Sequence, residues 1–308
     1  MGDLMATQEK AHKVTTNNPI KKISSVAEFV KFVMTWKRNE EFPSAFRGQQ
    51  YSEWSTTAKI FRDDRIANHE HEAVRDLLSI HPQEFQSDHS MFDRLVRMQH
   101  YDLPTRLLDV STNPLVALWF AAQDHQEKGK NVNGKVQAFF VPKERQAYFD
   151  SDRVSLIANL ANLKIEHKHE LFSKLDDEDF SKCDAVKELV HQVCVEKPHF
   201  RNQVNPDDFR VPLYVHPKMA NRRIIAQSGA FIIYPKKGAA FTEEDKKIKV
   251  FRVIIPHSEK ARIRNELEKL GIYASVLFPE IDKASQFIVN RYKGLEETAR
   301  REDISKFI

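Results

Sequence analysis

Cysteine is nearly missing from this chain: its 308 residues include only two, Cys183 and Cys194. Two thiols cannot build a disulfide framework, so the expected compartment is the reducing cytoplasm. Long apolar runs are missing too. None approaches the ~18 residues of a membrane span, so no membrane partner is expected. The first residues lack an apolar signal core, and Ala6 stands where an N-myristoylation site wants Ser or Thr. Glycine is scarce, with eight residues, so each one set among polar side chains is informative. A dominant charge sign is also lacking. Forty-eight Lys plus Arg against 44 Asp plus Glu leave +4, too mild to mark a nucleic-acid binder by charge alone.

Several chemistries are excluded by absent motifs. The chain has no G-x-G-x-x-G after a strand, no G-x-x-x-x-G-K-[ST], no G-x-S-x-G elbow and no C-x-x-C. The histidine pairs do not make metal sites either. His69 and His71 stand two apart on a predicted helix and so face different ways, and His191 and Cys194 have no second ligand pair nearby.

What is present is a folding chain, 41% hydrophobic and 30% charged, long enough to bury a core without staples. Apolar spacing predicts helices at Val26–Trp36, about 68–80, 91–99 and 113–124, the last opened by Pro114. Strands are expected at Ser44–Gln49, Lys135–Val141, Val211–Val215, Ile224–Tyr234, Val250–Ile255 and Ala274–Phe278. A helix at about 258–270 should stop at Gly271, with a final helix near 281–293. This order, helices first and strands later, favours an α+β fold with a split, mainly antiparallel sheet. One domain over 23–293, with a helical insertion at about 143–210, would lie between a flexible segment 1–22 and a tail 294–308.

Three polar clusters interrupt apolar surroundings. The first is Phe46-Arg47-Gly48-Gln49, where a strand-end arginine beside glycine can grip a phosphate or ribose with its two-pronged guanidinium. The second runs from His100 and Tyr101 to Arg106 and Asp109, then through Ser111-Thr112-Asn113-Pro114, a helix cap suited to an anion. Arg106 and Asp109, three apart in an apolar run, are expected to pair with each other if buried. The third is Arg222-Arg223-Ile224-Ile225-Ala226-Gln227-Ser228-Gly229, read as a bulge in a long strand. Basic residues crowd 236–264, including Lys236, Lys237 and Lys246 to Lys249; most such runs are solvated faces.

Together the clusters resemble the FRG domain family, named for Phe-Arg-Gly, here Phe46-Arg47-Gly48. The family's H-Y-x-x-P-T-R-L-L-D block is matched from His100 to Asp109, and its T-x-x-P-x-x-A-L-x-F-A is approached from Thr112 to Ala121, where one residue fewer separates Thr112 from Pro114. Its R-I-x-A-Q-x-G-x-F is matched from Arg223 to Phe231, and a closing L-F-P-[DE]-[LI]-D from Leu277 to Asp282. Members of this family commonly look like parts of bacterial toxin–antitoxin or anti-phage defence systems, with a layout similar to ADP-ribosyltransferases. That resemblance implies NAD as substrate, held by Arg47, Gly48, Gln49, His100, Tyr101, Arg106, Thr112 and Asn113. It also implies an antitoxin or regulatory partner protein. Gln227 falls near the position where transferases carry an acid, so Asp109 or Glu280 would supply the carboxylate that glycosidic cleavage wants. The basic rim beside the third cluster favours nucleic acid, RNA above all, as acceptor. The alternative is a non-catalytic module of a defence system that senses a nucleotide or nucleic acid.

Overall fold

The computed structural model describes residues 21–35, 42–201, 203–239 and 248–280, with Ser285, Val289 and Tyr292 beyond them. Residues 1–20 of the expected N-terminal segment, the tail 294–308, Lys246, Lys247, Asp282 and most of the helix near 281–293 lie outside the described residues, whereas Lys21 and Lys22, expected to be flexible, form a short strand. The elements begin with β1 (Lys21–Lys22), α1 (Val26–Thr35), β2 (Ala45–Gln49), α2 (Asp64–Asn68), α3 (Glu70–Ile80), α4 (Met91–His100), β3 (Leu107–Ser111) and α5 (Pro114–Ala121). They continue with β4 (Gln126–Glu127), β5 (Lys130–Asn131), β6 (Gly134–Phe140), β7 (Gln146–Tyr148), α6 (Asp152–Asn159), α7 (Ile165–Ser173) and α8 (Asp184–Glu196). The remainder are β8 (Leu213–His216), α9 (Arg222–Ala226), β9 (Gly229–Ile233), β10 (Lys249–Ile255), α10 (Lys260–Lys269) and α11 (Ala274–Leu277).

Eight strands form one sheet in the order β1-β10-β6-β2-β3-β9-β8-β7. It is mainly antiparallel; only the edge pairs β1–β10 and β7–β8 run parallel. Helices cover one face in two separate cores. Phe29 of α1, Leu118 of α5 and Ile263 of α10 pack over Phe46 and Ala138. Leu95 of α4 and Leu156 of α6 pack instead with Leu107, Phe231 and Val215. The strands therefore bury alternate residues on this face, as the pleat dictates. The other face, with Ala45, Leu108, Ile232 and Tyr214, is closed by loop residues such as Ala58 and Ile248. No helix among the described residues is long and apolar enough to cross a membrane.

The boundary between the two cores is a seam in the sheet. β2 joins β6 from Ala45 to Gln49, and β3 joins β9 from Leu107 to Ser111. Between β2 and β3, however, the register holds only at Phe46↔Ser111. Beyond that pair the strands part, and this opening positions the site.

Helix α5 starts where the cap signal predicts: Asn113 accepts from the Leu115 amide at 2.9 Å, and Pro114 fills the first turn. The helix lies hard against the sheet because two strand positions lack a Cβ. A Cβ on Gly48 would lie 1.8 Å from the Ala117 carbonyl oxygen, and one on Gly134 would lie 2.1 Å from that of Ala121.

Two predicted strands need correction. The stretch 224–234 is not one bulged strand. Asn221 caps a short helix, accepting from the Arg223 amide at 2.8 Å, and Ser228 turns the chain at φ 47° into β9. Residues 274–277 are helical as well.

Candidate functional site

A cleft of about 180 Å³ opens between α4 and α9, above β3 and β9. Four cations line it, Arg47, Lys59, Arg62 and Arg223, against the carboxylates of Asp102 and Asp109. Of the four, only Lys59 has an ion-pair partner among the described residues: Asp102, at 3.7 Å. Arg47 reaches across the seam and donates through Nη1 to the main-chain carbonyl of Asp109. Its Nε is buried without an acceptor. Burial pushes the Arg47 pKa down, the Asp109 carboxylate opposes this, and the Arg62 cation adds to it. Burial lowers Arg62 as well, again opposed by Asp109. Arg62 donates to the Thr57 carbonyl at 3.1 Å, and the Arg223 guanidinium lies 4.9 Å from the centre of the Phe278 ring. Three guanidinium groups thus line one cleft with most of their donors uncommitted among the described residues. That arrangement recognises phosphate or carboxylate oxygens.

Of the residues singled out from the sequence, Arg47, His100, Asp109 and Gln227 come together in this cleft. Gln227 is tied down: its Nε2 donates to the Leu277 carbonyl at 2.9 Å, fastening the segment that leads to Glu280. Glu280 stands behind His100, with Oε1 3.6 Å from Nδ1. Both Glu280 carboxylate oxygens are buried without a hydrogen-bond partner among the described residues.

The others stand elsewhere. Gly48 faces the backbone of α5, so it serves close packing and not a cofactor. Gln49 is buried and donates to the Ser55 carbonyl at 3.2 Å, bracing the turn after β2. Tyr101 is exposed, its hydroxyl 3.4 Å from Glu84 Oε2, outside the cleft lining. Thr112 bonds the Ser228 carbonyl through its amide at 2.8 Å, and Asn113 is occupied by the α5 cap.

Arg106 is corrected most sharply. It does not pair with Asp109, which is exposed, because residues three apart on an extended chain point to opposite faces. Arg106 is 1% exposed and bonds Glu70 through Nε at 2.9 Å and also through Nη2. Its Nη1 donates to the carbonyls of Tyr234 and Pro235 at 3.1 and 2.9 Å. Lys168 of α7 completes the knot, 2.8 Å from Glu70 Oε2. Lys59 and Arg62, which sequence reasoning missed, sit in a short turn (Lys59–Arg62) that carries no motif.

Fold and site thus define an α+β protein with a basic cleft at the seam of a mainly antiparallel sheet. Residues 43–130 match the FRG domain family model. The span contains Arg47, Gly48, His100 and Asp109, while Arg223, Gln227 and Glu280 lie beyond it. No curated protein and no solved structure matches the chain.

Proposed function

We propose that the cleft binds NAD and transfers its ADP-ribose to an acceptor, with nucleic acid, RNA above all, as the acceptor class. The observation that carries this reading is the set of Arg47, Arg62 and Arg223, without ion-pair partners among the described residues, lining the same cleft as the exposed carboxylate of Asp109. Guanidinium groups suit a pyrophosphate. A carboxylate in the same cleft suits the positive charge that develops on the ribose as the glycosidic bond breaks. At about 180 Å³ the cleft is smaller than the ~300–1,000 Å³ of pockets that enclose a whole ligand, so it seats one end of the dinucleotide. A toxin or anti-phage effector with an antitoxin or regulatory partner in the cytoplasm is the corresponding biological setting.

One observation favours a second reading, nucleotide or nucleic-acid sensing without turnover. The position expected near the transferases' acid is Gln227, and its amide is committed to the Leu277 carbonyl. Incubating the purified protein with labelled NAD and total RNA, DNA and protein separates the two. Transfer of label to RNA with release of nicotinamide is expected. Bound but unconsumed NAD would establish the sensing module instead.

A further inference from the structure

We propose that His100 and Glu280 form a carboxylate–imidazole pair that takes the proton of the acceptor hydroxyl, an inference that rests on the transfer reading above. His100 closes α4 and lines the cleft, half-buried. Its Nδ1 lies 3.6 Å from Glu280 Oε1, just beyond hydrogen-bond length. Unliganded sites often hold such contacts long, and they tighten on binding.

The fold holds Glu280 there from two sides. Gln227 ties down Leu277, and the Phe278 ring packs 6.0 Å from the rings of both Trp119 and Phe120. A carboxylate whose oxygens are covered and have no donor among the described residues is unfavourable, and an imidazolium beside it relieves that penalty. Glu280 therefore favours the state that His100 reaches by accepting a proton, as a buried carboxylate does behind a catalytic histidine.

This sorts the two carboxylates left open by the sequence. Asp109 is exposed in the cleft and available to a developing ribosyl cation. Glu280 has both oxygens covered and acts through His100 as a positioning residue. In the step itself, the acceptor oxygen bonds to ribose C1′ and the C1′–nicotinamide bond breaks. Its electron pair goes to the pyridinium nitrogen, leaving neutral nicotinamide, and the hydroxyl proton goes to His100 Nε2.

Among the described residues, the charged groups around His100 are Glu280 behind it and Asp102 just after its own helix. Across the cleft stand Arg47, Asp109, Lys59, Arg62 and Arg223. All except Glu280 are unchanged in the test, so a change on Glu280→Gln reports the pair. The His100 ring is titrated by nitrogen-15 NMR in the parent, Glu280→Gln and Glu280→Asp proteins, and the rate of label transfer from NAD is followed against pH.

Glu280→Gln is expected to lower the His100 midpoint and move the acid limb of the rate profile with it, and Glu280→Asp to restore both in part. His100→Gln is expected to slow transfer about 100-fold or more while NAD affinity stays within a few-fold. A His100 midpoint indifferent to Glu280→Gln and Glu280→Asp overturns the pair. A midpoint that moves while the parent consumes no NAD overturns the transfer reading and the proton-accepting role with it, though not the pairing.

Discussion

Two arginines from neighbouring sequence clusters meet opposite fates. Arg106 sits in a closed polar knot with Glu70 and Lys168, its guanidinium directed at two carboxylate oxygens and two carbonyls. Arg47 sits at the seam with one carbonyl acceptor and a buried Nε left over. A satisfied buried charge network fixes structure, and in this chain it fastens α3 and α7 to the start of β3. A cation whose donors lack protein partners is available to a ligand. The same side chain is thus committed to structure in one place and left available for a ligand in the other, and the partners decide which.

The largest expected effect comes from opening the knot. Burial works to raise the Glu70 pKa, but Arg106 and Lys168 outweigh it and hold the carboxyl at about 2. The folded value lies below the unfolded one, so the stabilisation is complete above about pH 4.5 and is lost as pH falls toward about 2. A shift of this size corresponds to about 3 kcal/mol. Glu70→Gln leaves Arg106 and Lys168 facing an uncharged amide and is expected to destabilise the fold by about 3–5 kcal/mol at neutral pH. Urea unfolding between pH 2 and 7 checks both statements. The variant should lose the acid-side slope of the parent, and a parent with the same slope as the variant would remove the knot from the account.

The complementary change sharpens the contrast from the cleft side. Arg47→Ala is expected to leave the urea midpoint close to that of the parent, because the residue gives up only one hydrogen bond to a carbonyl. Loss of a charge-assisted contact worth about 2 kcal/mol would weaken NAD binding roughly 30-fold. Arg47→Lys keeps the charge but loses the planar fork, so most of the affinity should go with it. Calorimetric titration of NAD into the three proteins reads this directly. Equal affinities would take Arg47 out of the site, while a fully competent lysine variant would mean that point charge suffices.

How far the sequence foretold this contrast differs for the two arginines. Arg47 stood out because the motif sets it beside a glycine, although it lies in the middle of β2 and not at the strand end expected, and the helical and alternating patterns put β2, α4, α5 and β6 close to their observed bounds. The α10 helix does stop before Gly271, whose φ of 79° suits glycine. The knot was not legible, since its members stand at 70, 106 and 168 and no local spacing links them. Short helices escaped for another reason. Arg222–Ala226 and Ala274–Leu277 are little more than one turn each, too short to show a period, and their Ile and Val content reads as strand. Arg62 and Lys59 became site residues only because a turn after β2 folds back over the seam.

The smallest expected effect tests the basic rim. Lys237 is paired with Asp64 at 2.6 Å and Lys236 lies 5.5 Å from the centre of the Phe172 ring, so both are partly engaged already. Both contacts are weak, however. An exposed ion pair adds under about 1 kcal/mol, and a cation over a half-buried ring such as Phe172 adds about 1 kcal/mol. Replacing both lysines with glutamate is therefore expected to shift the unfolding midpoint little. If they contact phosphates of an RNA acceptor, each releases counterions, and the slope of log affinity against log salt should shrink by about 1–1.5 for a single strand. Filter binding of RNA across a salt series, for parent and double variant, measures that slope. Parallel lines would show that the rim touches no nucleic acid, leaving Lys237 as the partner of Asp64 and nothing more.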